Sequence, residues 1–412
     1  MTSPLSCRFC HQELARTFVD LGSTPLANSY LRNEEEITTE KSYPLHARVC
    51  ENCFLVQVED VVPAEDIFSD YAYFSSYSSS WVEHARLYAE QLTEKLDLGS
   101  SSLVAEIASN DGYLLKHFVA KGIPVLGIEP AANVAKAAEK VGVRTEVAFF
   151  GVETATRLAN EGFKANLMAA NNVMAHVPDI NDFIGGVPIL LSEEGVFTIE
   201  FPHLLNLIEK TQFDTIYHEH YSYLSLLTVG KILSAHGLRV FDVEELPTHG
   251  GSLRVYACHN GAKKFAETER LHALRQKEAA ADLNTVSAYQ NFTPRVEKVR
   301  DDLLTFLKKA KDDGKKVAGY GAAAKGNTLL NYCGVGSELI EFVVDRNPEK
   351  QDTLLPGSHI PVFAPEKIFA EKPDYVLVLP WNLADEISKD MADIKAWGGE
   401  FVIPIPALEI LK

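Results

Sequence analysis

Two groups of residues in this chain have the types and spacing to do chemistry. Cys7 and Cys10 are two residues apart, as are Cys50 and Cys53, with 39 residues between the pairs. A Cys-x2-Cys turn points two sulfurs into one volume, and two such turns supply the four thiolates of a tetrahedral zinc site. The insert is longer than in a short ribbon and has room for a hairpin or two. Two disulfides, or four small core residues, are the competing readings. A closed four-sulfur site leaves no open coordination position, so the zinc expected here is structural. The second group is Thr215-Ile-Tyr-His-Glu-His-Tyr-Ser-Tyr223, with two histidines, a glutamate and three tyrosines. A core or a solvated face needs no such density. His218 and His220 could not share a face of a helix, which argues against a common metal. Acid–base chemistry fits better, because imidazole titrates near neutrality and an adjacent carboxylate such as Glu219 can fix its tautomer.

Further polar groups stand where strands end. Val104-Ala-Glu-Ile-Ala-Ser-Asn-Asp-Gly112 is an apolar run followed by a turn of small polar residues, a sequence expected at the carboxyl edge of an open sheet, where ligands bind. Glu106, Ala108, Asn110, Asp111 and Gly112 are its candidate cofactor residues. Eighteen residues after Asp111, a second strand ends in Gly127-Ile-Glu-Pro130. There Glu129, next to Pro130, suits a ribose diol. The fingerprint G-x-G-x-x-G is absent, which weakens a dinucleotide and favours S-adenosylmethionine, a cofactor with no pyrophosphate to cradle. A third strand ends in Ala170-Asn-Asn-Val-Met-Ala-His176, offering Asn171, Asn172 and His176. In Gly319-Tyr-Gly-Ala-Ala-Ala-Lys-Gly326, Lys325 follows a Gly/Ala turn at a helix start, an anion site suited to a diphosphate. Its spacing is not that of a Walker A motif. Asp345 is either a ribose acid or a helix cap. His249 and Arg254 either reach a ligand or are turn and sheet residues.

The elements that carry these groups alternate. Trp81–Leu98 has helical spacing. Leu103–Ile107, Pro124–Ile128, Ala165–Ala170 and Gly195–Phe201 read as strands, with helices at Tyr113–Ala120 and Asn133–Lys140. Arg239–Glu245 and Ser252–Cys258 read as a closing antiparallel pair. Residues 263–312 read as long helices broken near Pro294. A second α/β unit follows, with strands Lys316–Tyr320, Ile340–Asp345 and Tyr375–Leu379 and a helix from about Asn327. This alternation predicts α/β architecture with a doubly wound sheet. The expected domains are 1–63, 64–262, a helical connection at 263–312, and 313–412.

Bulk properties narrow the function. The 412 residues, 46% hydrophobic and 23% charged, are those of a globular protein of two or three domains. A net charge of −18 argues against binding nucleic acid or an anionic membrane. Six cysteines, four of them in the knuckles, fit a reducing compartment. No signal peptide is visible, and no apolar run approaches ~20 residues. The expectation is a cytoplasmic protein, monomeric because no coiled-coil seam is evident.

In these motifs, and in their order, the chain resembles the S-adenosylmethionine-dependent C-3 methyltransferases that act on nucleotide-linked 4-keto-6-deoxyhexoses. The likeness rests on the four cysteines, Tyr71-Ala-Tyr-Phe-Ser-Ser76, Glu106–Gly112, Tyr217-His-Glu-His220 and Gly319–Gly326, and covers essentially the whole length. It implies a Rossmann-like methyltransferase core between an N-terminal zinc-binding domain and a C-terminal Rossmann-like domain, with the sugar nucleotide between them. It also implies His220 as the base at C-3, with Tyr217, Glu219, His176 and Tyr71 completing the pocket. Lys325 and Asn327 would hold the diphosphate, and Tyr73, Tyr320, His249 and Arg254 are the further substrate residues. A C–H beside a ketone is a far weaker acid than imidazolium, and each pKa unit of mismatch costs about 1.4 kcal/mol. The enolate oxygen therefore needs donors worth roughly 3–4 kcal/mol each, expected from His176, Tyr71 and Tyr217. The other functions weighed are O- or N-methylation, which needs a weaker base and no enolate donors, and a non-enzymatic binding module, which needs no titratable cluster.

Overall fold

A computed structural model describes residues 5–63 and 75–411. The expected site residues Tyr71 and Tyr73 lie outside the described residues.

The N-terminal unit is built on a hairpin. β1 (Arg16–Thr24) pairs antiparallel with β2 (Tyr43–Val49), and β2 pairs with β3 (Val56–Gln57). Leu45, Ala47 and Val49 alternate inward along β2, the period-2 pattern of a half-buried strand. The two cysteine knuckles are built alike. His11 N–H donates to the Cys7 carbonyl and Phe54 N–H to the Cys50 carbonyl, both at 2.9 Å. His11 and Phe54 each take the left-handed conformation that turns the chain back.

The central sheet starts with β4 (Val104–Ile107), β5 (Val125–Ile128), β6 (Thr145–Glu146), β7 (Ala165–Asn171) and β8 (Leu191–Pro202), all parallel. The chain runs outward from β4 to β6, then returns to lay β7 on the other side of β4. The strand order reverses there, and the reversal leaves a crevice at the carboxyl ends of β4 and β7. A two-residue strand, β9 (Ser222–Tyr223), does not join this sheet. It pairs with β3 of the N-terminal unit, Val56 opposite Tyr223 and Gln57 opposite Ser222. The expected boundary at residue 63 is thus bridged by the segment carrying the histidine cluster. β10 (Leu238–Leu246) and β11 (Ser252–His259) close the central sheet antiparallel, with β11 against β8.

Helices Glu269–Ala280, Ser287–Gln290 and Phe292–Asp312 lead to the C-terminal unit. The break expected near Pro294 falls at Asn291, between two of these helices. Pro294 itself is the third residue of the last helix, where the missing N–H has no intrahelical acceptor to lose. A longer break falls earlier, at the turn where Asp282 is left-handed with φ 57°. Along the last helix Val296, Val299, Leu303 and Leu307 form the buried stripe, and at its start Phe292 stacks on Phe18 of β1 at 4.4 Å.

The C-terminal sheet has β12 (Val317–Tyr320), β13 (Val343–Val344), β14 (Val362–Phe363), β15 (Tyr375–Val378) and β16 (Glu400–Ile403) parallel, and β17 (Glu409–Leu411) antiparallel at the edge. Its order reverses between β12 and β15, giving a second crevice. The helix after β12 begins at Ala324 rather than near Asn327, so Lys325 lies in its first turn. No helix among the described residues is long and apolar enough to cross a membrane.

Candidate active site

At the first crevice the turn after β4 has positive φ at Ala108 (55°), Asn110 (49°) and Gly112 (78°). Two residues with a Cβ hold a conformation that normally selects glycine, a strain typical of ligand-binding turns. The Glu129 carboxylate helps to hold it, accepting Asn110 N–H and Ala131 N–H at 2.9 Å each. Asn110 Oδ1 and Asp111 Oδ2 accept the N–H groups of Ser75 and Ser76. Around the turn, buried atoms lack a hydrogen-bond partner among the described residues: Ser109 Oγ and one oxygen each of Asp111 and Asn172. The Glu106 carboxyl and the Asn171 side chain flank the Tyr113 hydroxyl. The Asp111 and Asn172 oxygens are acceptors, so the pocket favours a ligand with O–H and N–H donors. Burial, together with the charges of Glu129, Asp111 and Glu200, pushes the Glu106 carboxyl well above its usual range. A cationic ligand relieves that repulsion, whereas a pyrophosphate would add to it. S-adenosylmethionine, with its sulfonium, ammonium and ribose hydroxyls, fits this pocket.

Beside the crevice, a short helical turn after β7 carries His176, and the turn before β9 carries Tyr217–His220. The two imidazoles meet edge to face with centroids 4.6 Å apart. His220 Nδ1 lies 3.1 Å from the Thr215 carbonyl, and its Nε2 lies 2.8 Å from the Tyr217 hydroxyl. A carbonyl can only accept, so Nδ1 carries the proton and Nε2 presents a lone pair to which Tyr217 donates. His176 is fixed likewise, with Nδ1 2.7 Å from the Glu219 carbonyl oxygen. Burial holds His220 well below the ordinary imidazole range, and the Lys325 ammonium adds to it. Burial also pushes His176 down to about 4. Both are therefore neutral at pH 7. This corrects the expectation that His176 donates to an enolate, since a neutral imidazole protonated at Nδ1 can only accept at Nε2. Glu219 acts on an imidazole through its backbone, one of the two ways open to it. Its backbone carbonyl orients an imidazole, while its carboxylate turns away to Asn28.

His249 reaches the same place from the left-handed turn between β10 and β11. It meets the edge of Trp81, whose indole also stacks on His84 at 4.9 Å. Across from it is the second crevice. Lys325 Nζ donates to Asn382 Oδ1 at 2.7 Å and lies 4.6 Å over the Trp381 ring. The Trp381 indole N–H donates to buried Asp214 at 2.7 Å, tying the C-terminal unit to the central one. Gly250 permits this contact, because a Cβ there would come within 2.5 Å of the indole. His176, Tyr217, His220 and Lys325 are each partly open to water although protein surrounds them, and His249 is more open still. That combination describes the walls of a deep cleft.

Other expected substrate residues lie elsewhere. Arg254 is 3% exposed and bound to Glu200 at 2.6 Å and Glu244 at 2.9 Å, so it is an internal cation of the sheet. Tyr320 packs with Phe342, Val344 and Ile368 in a cluster made wholly of C-terminal residues. The Asn327 amide donates to the Ala27 carbonyl at 2.7 Å and serves as an interdomain tie. Asp345 accepts Ala322 N–H and Asn347 N–H, a turn role. Asn28, Trp81, Asp214 and Trp381 were not singled out from sequence. Trp81 was read only as a helix residue, and Asn28 carries no sequence signal. A cavity of about 660 Å³ lies apart from the cleft, between the 226–235 helix, β10 and the 269–280 helix. Its buried acid, Glu278, is satisfied by His203 Nε2 and by the N–H groups of Leu226 and Leu227.

The cysteine sulfurs all lie within 4.8 Å of one another, with Cys7–Cys53 at 3.5 Å and Cys10–Cys50 at 3.4 Å. A zinc tetrahedron with bonds near 2.3 Å sets sulfurs about 3.8 Å apart, so the set fits zinc. The Gln57 side-chain amide donates to Cys7 Sγ at 3.2 Å, a supporting bond for a thiolate.

Comparison with known proteins follows the same three parts. A family model for a zinc binding domain matches residues 7–68, one for a methyltransferase domain matches 81–243, and one for a C-methyltransferase C-terminal domain matches 247–406. C-methyltransferase NovU of Streptomyces niveus is 36% identical over 406 residues, covering 98% of this chain and 96% of that protein. Among solved structures, the chain is similar to magnesium protoporphyrin IX methyltransferase of Synechocystis PCC 6803 with bound SAH. That match has 16% identity, 43% of this chain, 83% of that one and a TM-score of 0.35. The 1,6-didemethyltoxoflavin-N1-methyltransferase of Burkholderia thailandensis matches at 15% identity, 50% and 94% coverage and a TM-score of 0.35.

Proposed function

Because this chain belongs to the family of S-adenosylmethionine-dependent C-methyltransferases with an N-terminal zinc-binding domain, we propose that it methylates C-3 of a nucleotide-linked 4-keto-6-deoxyhexose through an enolate. The observation that carries this reading is the fixed tautomer of His220. Its Nε2 lone pair accepts from the Tyr217 hydroxyl, and the charge of Lys325 acts on the same ring.

The sugar enters with its diphosphate at the start of the 324–333 helix, held by the Lys325 ammonium and the backbone N–H groups of that turn. Its C-3 hydrogen takes the place of the Tyr217 hydroxyl at His220 Nε2, which accepts the proton. The C–H electron pair moves into the ring and onto the C-4 oxygen. The displaced Tyr217 hydroxyl is then the donor available to that oxygen. His176, an acceptor at Nε2, orients the C-3 substituent. When bound, S-adenosylmethionine supplies a methyl group on a positively charged sulfur, the electrophile the enolate carbon requires. Methyl transfer requires the bound sugar and cofactor to hold donor and acceptor in line.

The test is His220→Asn. The variant should still bind S-adenosylhomocysteine by calorimetry but lose exchange of the sugar's C-3 hydrogen with solvent deuterium. Undiminished exchange would remove His220 as the base. Carbon NMR of the product distinguishes a new quaternary carbon from the O- or N-methyl group of the alternative reaction.

A further inference from the structure

The hydrogen bonds around the base-bearing turn end on a segment for which the reaction has no evident use. Residues 27–30 follow β1 in the zinc-binding unit and run between the Tyr217–His220 turn and the Ala322–Lys325 turn. Asn28 Nδ2 donates to both Glu219 oxygens, at 2.9 and 2.7 Å. The Ala27 carbonyl accepts the Asn327 amide at 2.7 Å. The Tyr30 hydroxyl donates at 2.5 Å to the Ala322 carbonyl, which also accepts Lys350 Nζ at 2.6 Å. From these contacts we propose that Asn28 is a positioning residue for the base. Through Glu219 it fixes the turn whose carbonyl orients His176 and whose next residue is His220.

The bond joins residues 191 positions apart, on different units of the molecule. Among the described residues, Asn28 is the hydrogen-bond donor of the Glu219 carboxylate, which is only 7% exposed. Without it that carboxylate loses its anchor, and the backbone at 219 is released together with both imidazoles. Asn28 itself is exposed on its other side, so its loss leaves no cavity. The zinc-binding unit thereby supplies part of the catalytic alignment. It also links that alignment to the turn carrying Lys325. This inference rests on the reaction proposed above.

The experiment compares wild type, Asn28→Ala and the double variant N28D/E219Q. The probe is a nucleoside-diphosphate-linked 4-keto-6-deoxyhexose with S-adenosylhomocysteine bound, and C-3 deuterium exchange, methyl-transfer kcat and KM, and S-adenosylhomocysteine affinity are measured. Small misplacements of reacting groups cost up to about 100-fold. Asn28→Ala should therefore lower exchange and kcat together by roughly 10- to 100-fold, with KM moving less and cofactor affinity unchanged. The double variant rebuilds the bond with donor and acceptor exchanged and should recover most of the loss. The inference is overturned if Asn28→Ala exchanges at the wild-type rate or loses cofactor affinity as well. A double variant no better than Asn28→Ala would also overturn it, because the Glu219 charge would then act directly. Absent exchange in wild type would instead overturn the proposed reaction.

Discussion

In the proposed reaction the base has to arrive unprotonated, and the surroundings of His220 favour that form. Burial comes first, and the Lys325 ammonium adds to it. The sign for activity follows. The neutral form is active and its pKa is depressed, so activity is complete above that pKa and is lost as pH falls through it. C-3 exchange should stay level from about pH 8 down to about 6.5, the value of an unperturbed imidazole, and decline only at lower pH. A rate profile falling by half near 6.5 or above would show that the cleft does not depress this group. Neutral His220 was foreseeable from its type. The tautomer was not, because Thr215, five residues back, supplies the acceptor only once the turn is formed.

At the scale of elements, β8, β10 and β11 carry an internal ion network. Glu200 binds His84 and Arg254, and Arg254 also binds Glu244 while lying 4.7 Å over the Tyr88 ring. Removing one member of a buried pair strands its partner's charge, at a cost of roughly 3–5 kcal/mol. Arg254→Met should lower the unfolding free energy by about that amount, read from denaturant midpoints, with the KM for the sugar nucleotide unchanged in the folded fraction. A raised KM at unaltered stability would return Arg254 to the substrate. Sequence left its role open because the run His249–Arg254 is a turn entering a strand. Alternation along a strand cannot say which face meets a ligand and which meets another sheet residue. For the strands at Val104, Pro124 and Ala165 the apolar runs were sufficient, and the structure differs by a residue or two at their ends.

At the scale of the molecule, the four-cysteine site is linked by strand pairing to the turn that carries His220. The knuckle at Cys50–Cys53 leads into β3, and β3 pairs with β9, two residues after His220. Loss of the metal should therefore spread to the base-bearing turn while sparing the cofactor turn on the central sheet. After chelation, or in Cys50→Ser, methyl transfer should fall by more than tenfold, a structural zinc site being part of the folding energy. S-adenosylhomocysteine should still bind by calorimetry. Full activity in protein shown by metal analysis to lack zinc would break this link.

The sequence alone determined what short-range geometry and residue chemistry can determine. Two Cys-x2-Cys turns make a sulfur cluster wherever they meet, alternating apolar runs make an α/β sheet, and a crowd of imidazole and phenol groups signals proton transfer. The tertiary structure decided which groups share a volume. Residue 28, residue 176, the pair 219–220, residue 249 and residue 325 come from separate elements, and no local pattern encodes their approach. Their meeting depends on two strand-order reversals and on a two-residue strand that crosses from one unit to another. The same packing assigned Arg254 and Asn327 to structural partners, because burial leaves a polar group only the neighbours that the fold brings to it.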